Sequence, residues 1–185
     1  TASHHHGGVA EVADRVGAGH DEVVTAIVVD SRATQTLYAS SWSLHSNGGG
    51  VFRSNNGGRD WSSIGLNGYA VRALSQAKSN PDVLIAGAVE GVFRSRDAGK
   101  TWDRISPEKH DDLRNFDSIA VDPRDADTIF AGTYHLPWKT TDGGRNWFAV
   151  HKGMVDDSDV MSISIDPGNP MHIFSSACSG IYQSS

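Results

Sequence analysis

Four times along the chain a short apolar, β-branched run gives way to a polar turn, a second short apolar run and a variable loop. The first runs cover residues 23–29, 71–77, 118–121 and 161–165. They have the length and composition of strands and are too short to be helices. Each leads into a turn made from Asp, Asn, Pro and Ser: Asp30-Ser31-Arg32, Asn80-Pro81-Asp82, Asp122-Pro123-Arg124-Asp125 and Asp166-Pro167-Gly168-Asn169-Pro170. Such side chains bond to their own backbone and favour reversal of the chain. The second runs follow at 36–39, 83–86, 128–131 and 172–175.

The third run ends in a repeated frame: Ser or Thr, one residue, Asp or Asn, one residue, Gly, two residues, Trp. It reads Ser54, Asn56, Gly58, Trp61; then Ser95, Asp97, Gly99, Trp102; then Thr140, Asp142, Gly144, Trp147. A fourth copy opens at Ser184. The copies start 41, 45 and 44 residues apart. A fixed period of this size marks a repeat architecture, and four antiparallel strands per period describe a propeller blade. Blades are expected near 23–66, 69–106, 116–155 and from 160 onward.

Within the frame, the carboxylate or amide is placed to accept backbone N–H bonds. The Ser or Thr hydroxyl joins that network, the Gly can take φ > 0, and the Trp carries a large ring for anchoring. Asn56 keeps the turn chemistry without the charge. These twelve residues therefore read as structural, and Asp97 and Asp142 are not assigned to catalysis.

The frame resembles the Asp-box, or BNR repeat, found in sialidases, xyloglucan-cleaving hydrolases, sortilin-type receptors and photosystem II assembly factors. The resemblance covers roughly residue 23 to the end and implies an all-β propeller of four-stranded antiparallel blades. Three full blades and part of a fourth are present, an incomplete set against the four to eight or so blades of closed propellers. Closure by an oligomer, a partner chain or further polypeptide is therefore expected. The resemblance also implies an extracytoplasmic setting, secreted or periplasmic. It does not fix chemistry, because the families share the turn and not the reaction.

The domain organisation expected is an N-terminal tail over 1–20 and a propeller segment over 21–185. His4, His5 and His6 in the tail read as solvated, since three adjacent histidines do not present one ion with fixed geometry. A net charge of −6 argues against a nucleic-acid partner. No apolar run approaches the ~18 residues of a membrane helix. The single cysteine, Cys178, rules out an internal disulfide.

Successive hairpins of a blade alternate between the two faces of the disc. The first–second turns and the repeated frames share one face, uniform from repeat to repeat. The second–third loops and the blade connections share the other, and these vary, as recognition surfaces do. The candidate binding face comprises Trp42, His45, Tyr69, Glu90, Phe116, Asp117, Tyr134 and His135. Aromatic rings among scattered polar groups suit a protein or glycan ligand. His45 and His135 lack further ligands for zinc, so no metal is expected, and no cofactor is called for.

The function that follows is non-catalytic recognition of a protein or glycan. The alternative is a glycoside hydrolase, xyloglucanase-like or sialidase-like, with part of its site outside this chain. Glycoside hydrolysis needs two carboxyl groups across one bond. The acidic residues of the variable face (Glu90, Asp111, Asp112, Asp117, Asp156, Asp157 and Asp159) do not single out a pair. The sialidase resemblance would require an Arg-Ile-Pro segment, clustered arginines and a tyrosine. The segment is absent, leaving only Arg72, Arg114 and Tyr69.

Overall fold

The computed structural model describes residues 22–45 and 48–184. The tail over 1–20, with its three histidines, lies outside them. The described chain is all-β: fifteen strands in four antiparallel sheets, and no helix. Sheet 1 holds β1 (Glu22–Val29), β2 (Leu37–Ser43), β3 (Gly49–Ser54) and β4 (Ser62–Gly65) in that order. Sheet 2 holds β5 (Val71–Gln76), β6 (Leu84–Ala88), β7 (Val92–Ser95) and β8 (Asp103–Arg104). Sheet 3 holds β9 (Phe116–Asp122), β10 (Asp125–Thr133), β11 (Pro137–Thr140) and β12 (Phe148–Ala149). Sheet 4 holds β13 (Val160–Ile165), β14 (Ile173–Ala177) and β15 (Gly180–Gln183).

The sheets stack in chain order. The first strands β1, β5, β9 and β13 neighbour one another along the stack. Each sheet is therefore a blade with its first strand innermost, and the chain is a partial β-propeller of three four-stranded blades and one three-stranded blade.

The core lies between blades. Val51 and Tyr38 of sheet 1 pack with Val71, Leu74, Leu84, Ala86 and Phe93 of sheet 2. Ile85 and Val92 of sheet 2 pack with Phe116, Ile129, Ala131 and Trp138 of sheet 3. Alternation along each strand supplies the two sides: β9 reads buried at every second residue from Phe116 to Asp122. The first sheet turns Ile27 and Val29 outward, exposed on the face that no described blade covers, and Val23 is exposed near the start of β1.

Backbone hydrogen bonds sort the loops onto two faces as the sequence leads one to expect. The repeated turns bond to the first–second turns, through Gly57 to Gln35, Ala98 to Asp82 and Gly143 to Asp127. The second–third loops bond to the blade connections, through Val89 to Ala70, Asn115 to Val89 and Cys178 to Asp159.

Several boundaries differ from expectation, with β9 running from Phe116 to Asp122 and β10 from Asp125 to Thr133. Strand β2 runs on to Ser43, so Trp42 stands on a strand paired with Val23 and not in a loop. The fourth strands begin one residue after each Trp, at Ser62, Asp103 and Phe148.

The repeated turns are built as their side chains dictate. In the second, Gly99 N–H donates to Ser95 Oγ at 2.8 Å, while Ser95 Oγ–H and Thr101 N–H both donate to Asp97 Oδ1, at 2.8 and 2.9 Å. The third repeats this with Thr140, Asp142 and Asn146, and the first with Ser54, Asn56 and Asp60. Gly58, Gly99 and Gly144 all sit at φ between +85° and +97°, which a Cβ would oppose.

Candidate functional site

Each first strand carries a one-residue bulge at the same place. The pairing skips Thr25 in β1, Arg72 in β5, Asp117 in β9 and Met161 in β13. A bulge leaves its extra residue out of the alternation and re-aims that side chain. Here the bulges lie at the innermost strands, beside the variable face. Two of the re-aimed side chains meet across the blade boundary: Arg72 Nη1 donates to Asp117 Oδ1 at 2.9 Å.

The pair extends in both directions. The Arg72 guanidinium carbon lies 4.8 Å from the centroid of the Trp42 ring, within reach of a cation–π contact. On the other side stands Asp159, just before β13. Burial pushes its carboxyl up, the nearby Asp117 charge adds to this, and Arg72 opposes it. Asp159 Oδ1 is buried with no hydrogen-bond partner among the described residues. A row Trp42–Arg72–Asp117–Asp159 thus crosses all four blades on one face.

The other residues read as candidates divide. Tyr134 and His135 lie against each other with their rings tilted by 42° and centroids 3.7 Å apart, and His135 Nδ1 pairs with Asp157 Oδ1 of the following connection. His45 and Glu90 are exposed. Tyr69 is partly exposed and packs edge-on against Phe93, at 4.8 Å between centroids, so its ring supports its own blade. Phe116 is corrected. It is fully buried in the core between sheets 2 and 3, because the position before the bulge points into the blade interface, as Val71 and Val160 also do. Trp138 is likewise core, edge-on to His110.

Arg72 and Asp159 belong to the variable face by sequence, Asp159 as one of its undistinguished acidic residues, but the sequence alone does not pair either with Trp42 or Asp117. A signal existed: both stand at the start of a first strand, the part of each blade nearest the axis. Among the described residues no three His, Cys, Asp or Glu side chains come together as a metal site. Cys178 is an exposed free thiol.

No family model matches the chain. An alignment 100 positions long is 32% identical to an oligoxyloglucan-reducing end-specific xyloglucanase of Emericella nidulans, covering 45% of this chain and 12% of that protein. Among solved structures, a xyloglucanase of glycoside hydrolase family GH74 from Xanthomonas campestris superposes with a TM-score of 0.67 at 20% identity, over 85% of this chain and 27% of that one. YCF48 from Cyanidioschyzon merolae superposes with a TM-score of 0.56 at 18% identity, over 88% of this chain and 56% of that one. The structural likenesses show the propeller fold, and the chain spans a small part of the xyloglucanases' length.

Proposed function

We propose that this chain is the ligand-reading part of an extracytoplasmic, Asp-box-type propeller that binds a glycan on its variable face without cleaving it. The observation that carries this is the recurrent bulge, which takes Arg72 and Asp117 out of the strand alternation and sets them between Trp42 and Asp159. An indole face beside fixed charged donors and acceptors is what a sugar needs: the ring takes the apolar C–H face and the polar groups take the hydroxyls. The similarity to a xyloglucanase supports a β-glucan over a protein as ligand.

A second reading rests on Asp159. A carboxyl raised by burial and by the nearby Asp117 charge, with a buried and unpartnered Oδ1, is suited to hold a proton for a general acid. On that reading the pair Asp159 and Asp117 serves hydrolysis.

Titration of the full chain with xyloglucan oligosaccharides, with product detection, separates the two. Binding is expected, and Trp42→Ala should weaken it about tenfold or more, as for an aromatic hot spot. Binding unchanged by Trp42→Ala overturns the assignment of the face. Released sugar, abolished by Asp159→Asn while binding persists, establishes the hydrolase instead.

A further inference from the structure

Two open pockets lie at equivalent places on the outer rim, one at each boundary between the four-stranded blades. The first, of about 490 Å³, has Arg53, Ile64, Gly99 and Lys100 in its wall. The second, of about 370 Å³, has Arg104, Ile105, Gly144 and Arg145. The positions correspond: Ile64 and Ile105 each stand three residues after the Trp of their frame, and Lys100 and Arg145 each follow the frame Gly. Both pockets carry two cationic side chains, and among the described residues no Asp or Glu lines either one. The chain as a whole has a net charge of −6, so these two places run against its average.

The surrounding contacts leave these charges uncompensated. Arg53 and Arg94 both precede a frame Ser. Arg94 is buried and reaches Asp127 of the next blade at 2.6 Å. The acid corresponding to Asp127 for Arg53 is Asp82, because the Ala98 N–H bonds its carbonyl as the Gly143 N–H bonds that of Asp127. Arg32 takes Asp82 instead, at 2.7 Å. Arg53 is left against the Tyr38 ring, its guanidinium carbon 5.8 Å from the centroid, with Nε buried and without a hydrogen-bond partner among the described residues. In the second pocket Arg104 is fixed by neutral oxygens. Its Nε donates to the Ser106 carbonyl at 3.1 Å, and its Nη2 to those of Glu90 and Pro107 at 2.7 and 3.1 Å. Gly91 leaves room for this, since a Cβ there would lie 3.0 Å from Arg104 Nε. The neighbouring Asp103 lies toward Arg96, at 3.9 Å. Carbonyls hold a guanidinium in place without neutralising it, so Arg104 keeps its charge and its Nη1 donors for an outside anion. Lys100 and Arg145 are exposed beside the two arginines.

We infer that the two pockets bind the acidic groups of an anionic polysaccharide lying along the rim, one charged unit to each blade boundary. In each pocket the isoleucine offers the apolar contact that the C–H face of a sugar ring takes, and the two cations take its carboxylate or sulfate. The volumes lie within the range of small-ligand sites. Because the arrangement recurs one blade on, a linear polymer reaches both pockets, and the second contact becomes intramolecular, which multiplies the affinity of a weak single site. The rim lies apart from the row on the variable face, and the inference is independent of the function proposed for that row.

The test is calorimetric titration of the full chain, at low and at physiological salt, with oligogalacturonate, with dextran sulfate and with uncharged dextran. Saturable binding of an acidic polymer, and none of dextran, is expected, with affinity falling about fivefold or more at the higher salt as exposed charges are screened. Lys100→Glu combined with Arg145→Glu changes only exposed positions and should weaken binding about tenfold or more. Arg104→Lys keeps the charge, loses the planar fork and should weaken it by a smaller factor. Far-UV circular dichroism checks that each variant is folded. Preference for the uronate assigns a carboxylate as the bound group, and preference for dextran sulfate assigns a sulfate ester; either supports the site. No binding of either acidic polymer at low salt, or binding that the charge reversals leave unchanged, overturns it. Polyglutamate bound more tightly than both polysaccharides would mean an acidic protein segment and would overturn the ligand class. Displacement of the polymer by xyloglucan oligosaccharides would put it on the variable face and would overturn the location.

Discussion

Trp61 and Trp147 occupy the same frame position and are both partly buried, yet replacing each by alanine should have different consequences. Trp147 spans two blades, touching Ile105 through its indole N–H and the core between sheets 2 and 3 through its ring. A fully enclosed aromatic side chain buries about 150–250 Å². Taking roughly 100 Å² as the share lost here, at ~25 cal/mol per Å² the transfer term is about 2.5 kcal/mol. The hydrogen bond adds about 1 kcal/mol, since the Ile105 carbonyl then lacks its partner. Trp147→Ala should therefore destabilise by roughly 3–4 kcal/mol. Trp61 closes only its own turn, where the freed Gly58 carbonyl can turn to water, and Trp61→Ala should cost about 1–2 kcal/mol. Urea unfolding followed by far-UV circular dichroism measures both. Equal costs for the two substitutions would refute the inter-blade role of Trp147, since the only difference invoked is the partner blade.

Ala98 holds φ at +58° where the first and third turns place Gly57 and Gly143 at +70° and +72°. Left-handed geometry costs alanine about 1–2 kcal/mol, and a glycine's extra unfolded-state freedom returns about 0.5–1 kcal/mol. Ala98→Gly should thus stabilise by about 0.5–1 kcal/mol, read as a higher urea midpoint; a lower midpoint would show that the strain is absent. Acid should weaken the fold through Asp97 and Asp142. Hydrogen bonds from the Thr101 side chain and backbone hold Asp97 at about 2, and those from the Asn146 backbone and side chain hold Asp142 at about 2. Both folded values lie below the ordinary 3.8. Their contribution is therefore complete above that value and is lost as pH falls through about 2. Asp159 acts in the opposite sense, since a raised carboxyl favours the folded state as it protonates. Asp97→Asn with Asp142→Asn should remain folded, as the Asn56 turn does, and should show a flatter loss of Tm between about pH 4 and pH 2; an unchanged slope would exclude these two groups as the source.

The features legible in the sequence are those contained within one repeat. The period located the hairpins, and the turn chemistry of Ser95, Asp97 and Gly99 could be worked out from the side chains alone, because every partner lies within four residues. Loop faces followed from strand alternation. What was not legible lies between repeats or depends on a register change. Arg72 and Asp117 are 45 residues apart and meet only because each is the extra residue of a bulge. Strict alternation gives no sign of that extra residue. Phe116 was misplaced for the same reason: without the bulge, a residue at the strand entrance reads as facing the rim. Yet Val71, Phe116 and Val160 form an apolar column when the repeats are aligned, and that column marks the buried position directly.

The same distinction explains why structure and recognition coexist in so regular a chain. The second and third turns each pack their Gly and Trp on an equivalent isoleucine of the preceding blade, Ile64 and Ile105, so the repeat fixes those residues. The bulge fixes only where its extra side chain points, and the backbone pairing around it is satisfied whether that residue is Thr25, Arg72, Asp117 or Met161. Chemistry at this position can therefore vary from blade to blade with little cost to the sheets. The row across the variable face is built at such positions and beside them, where the repeat constrains geometry and leaves composition free.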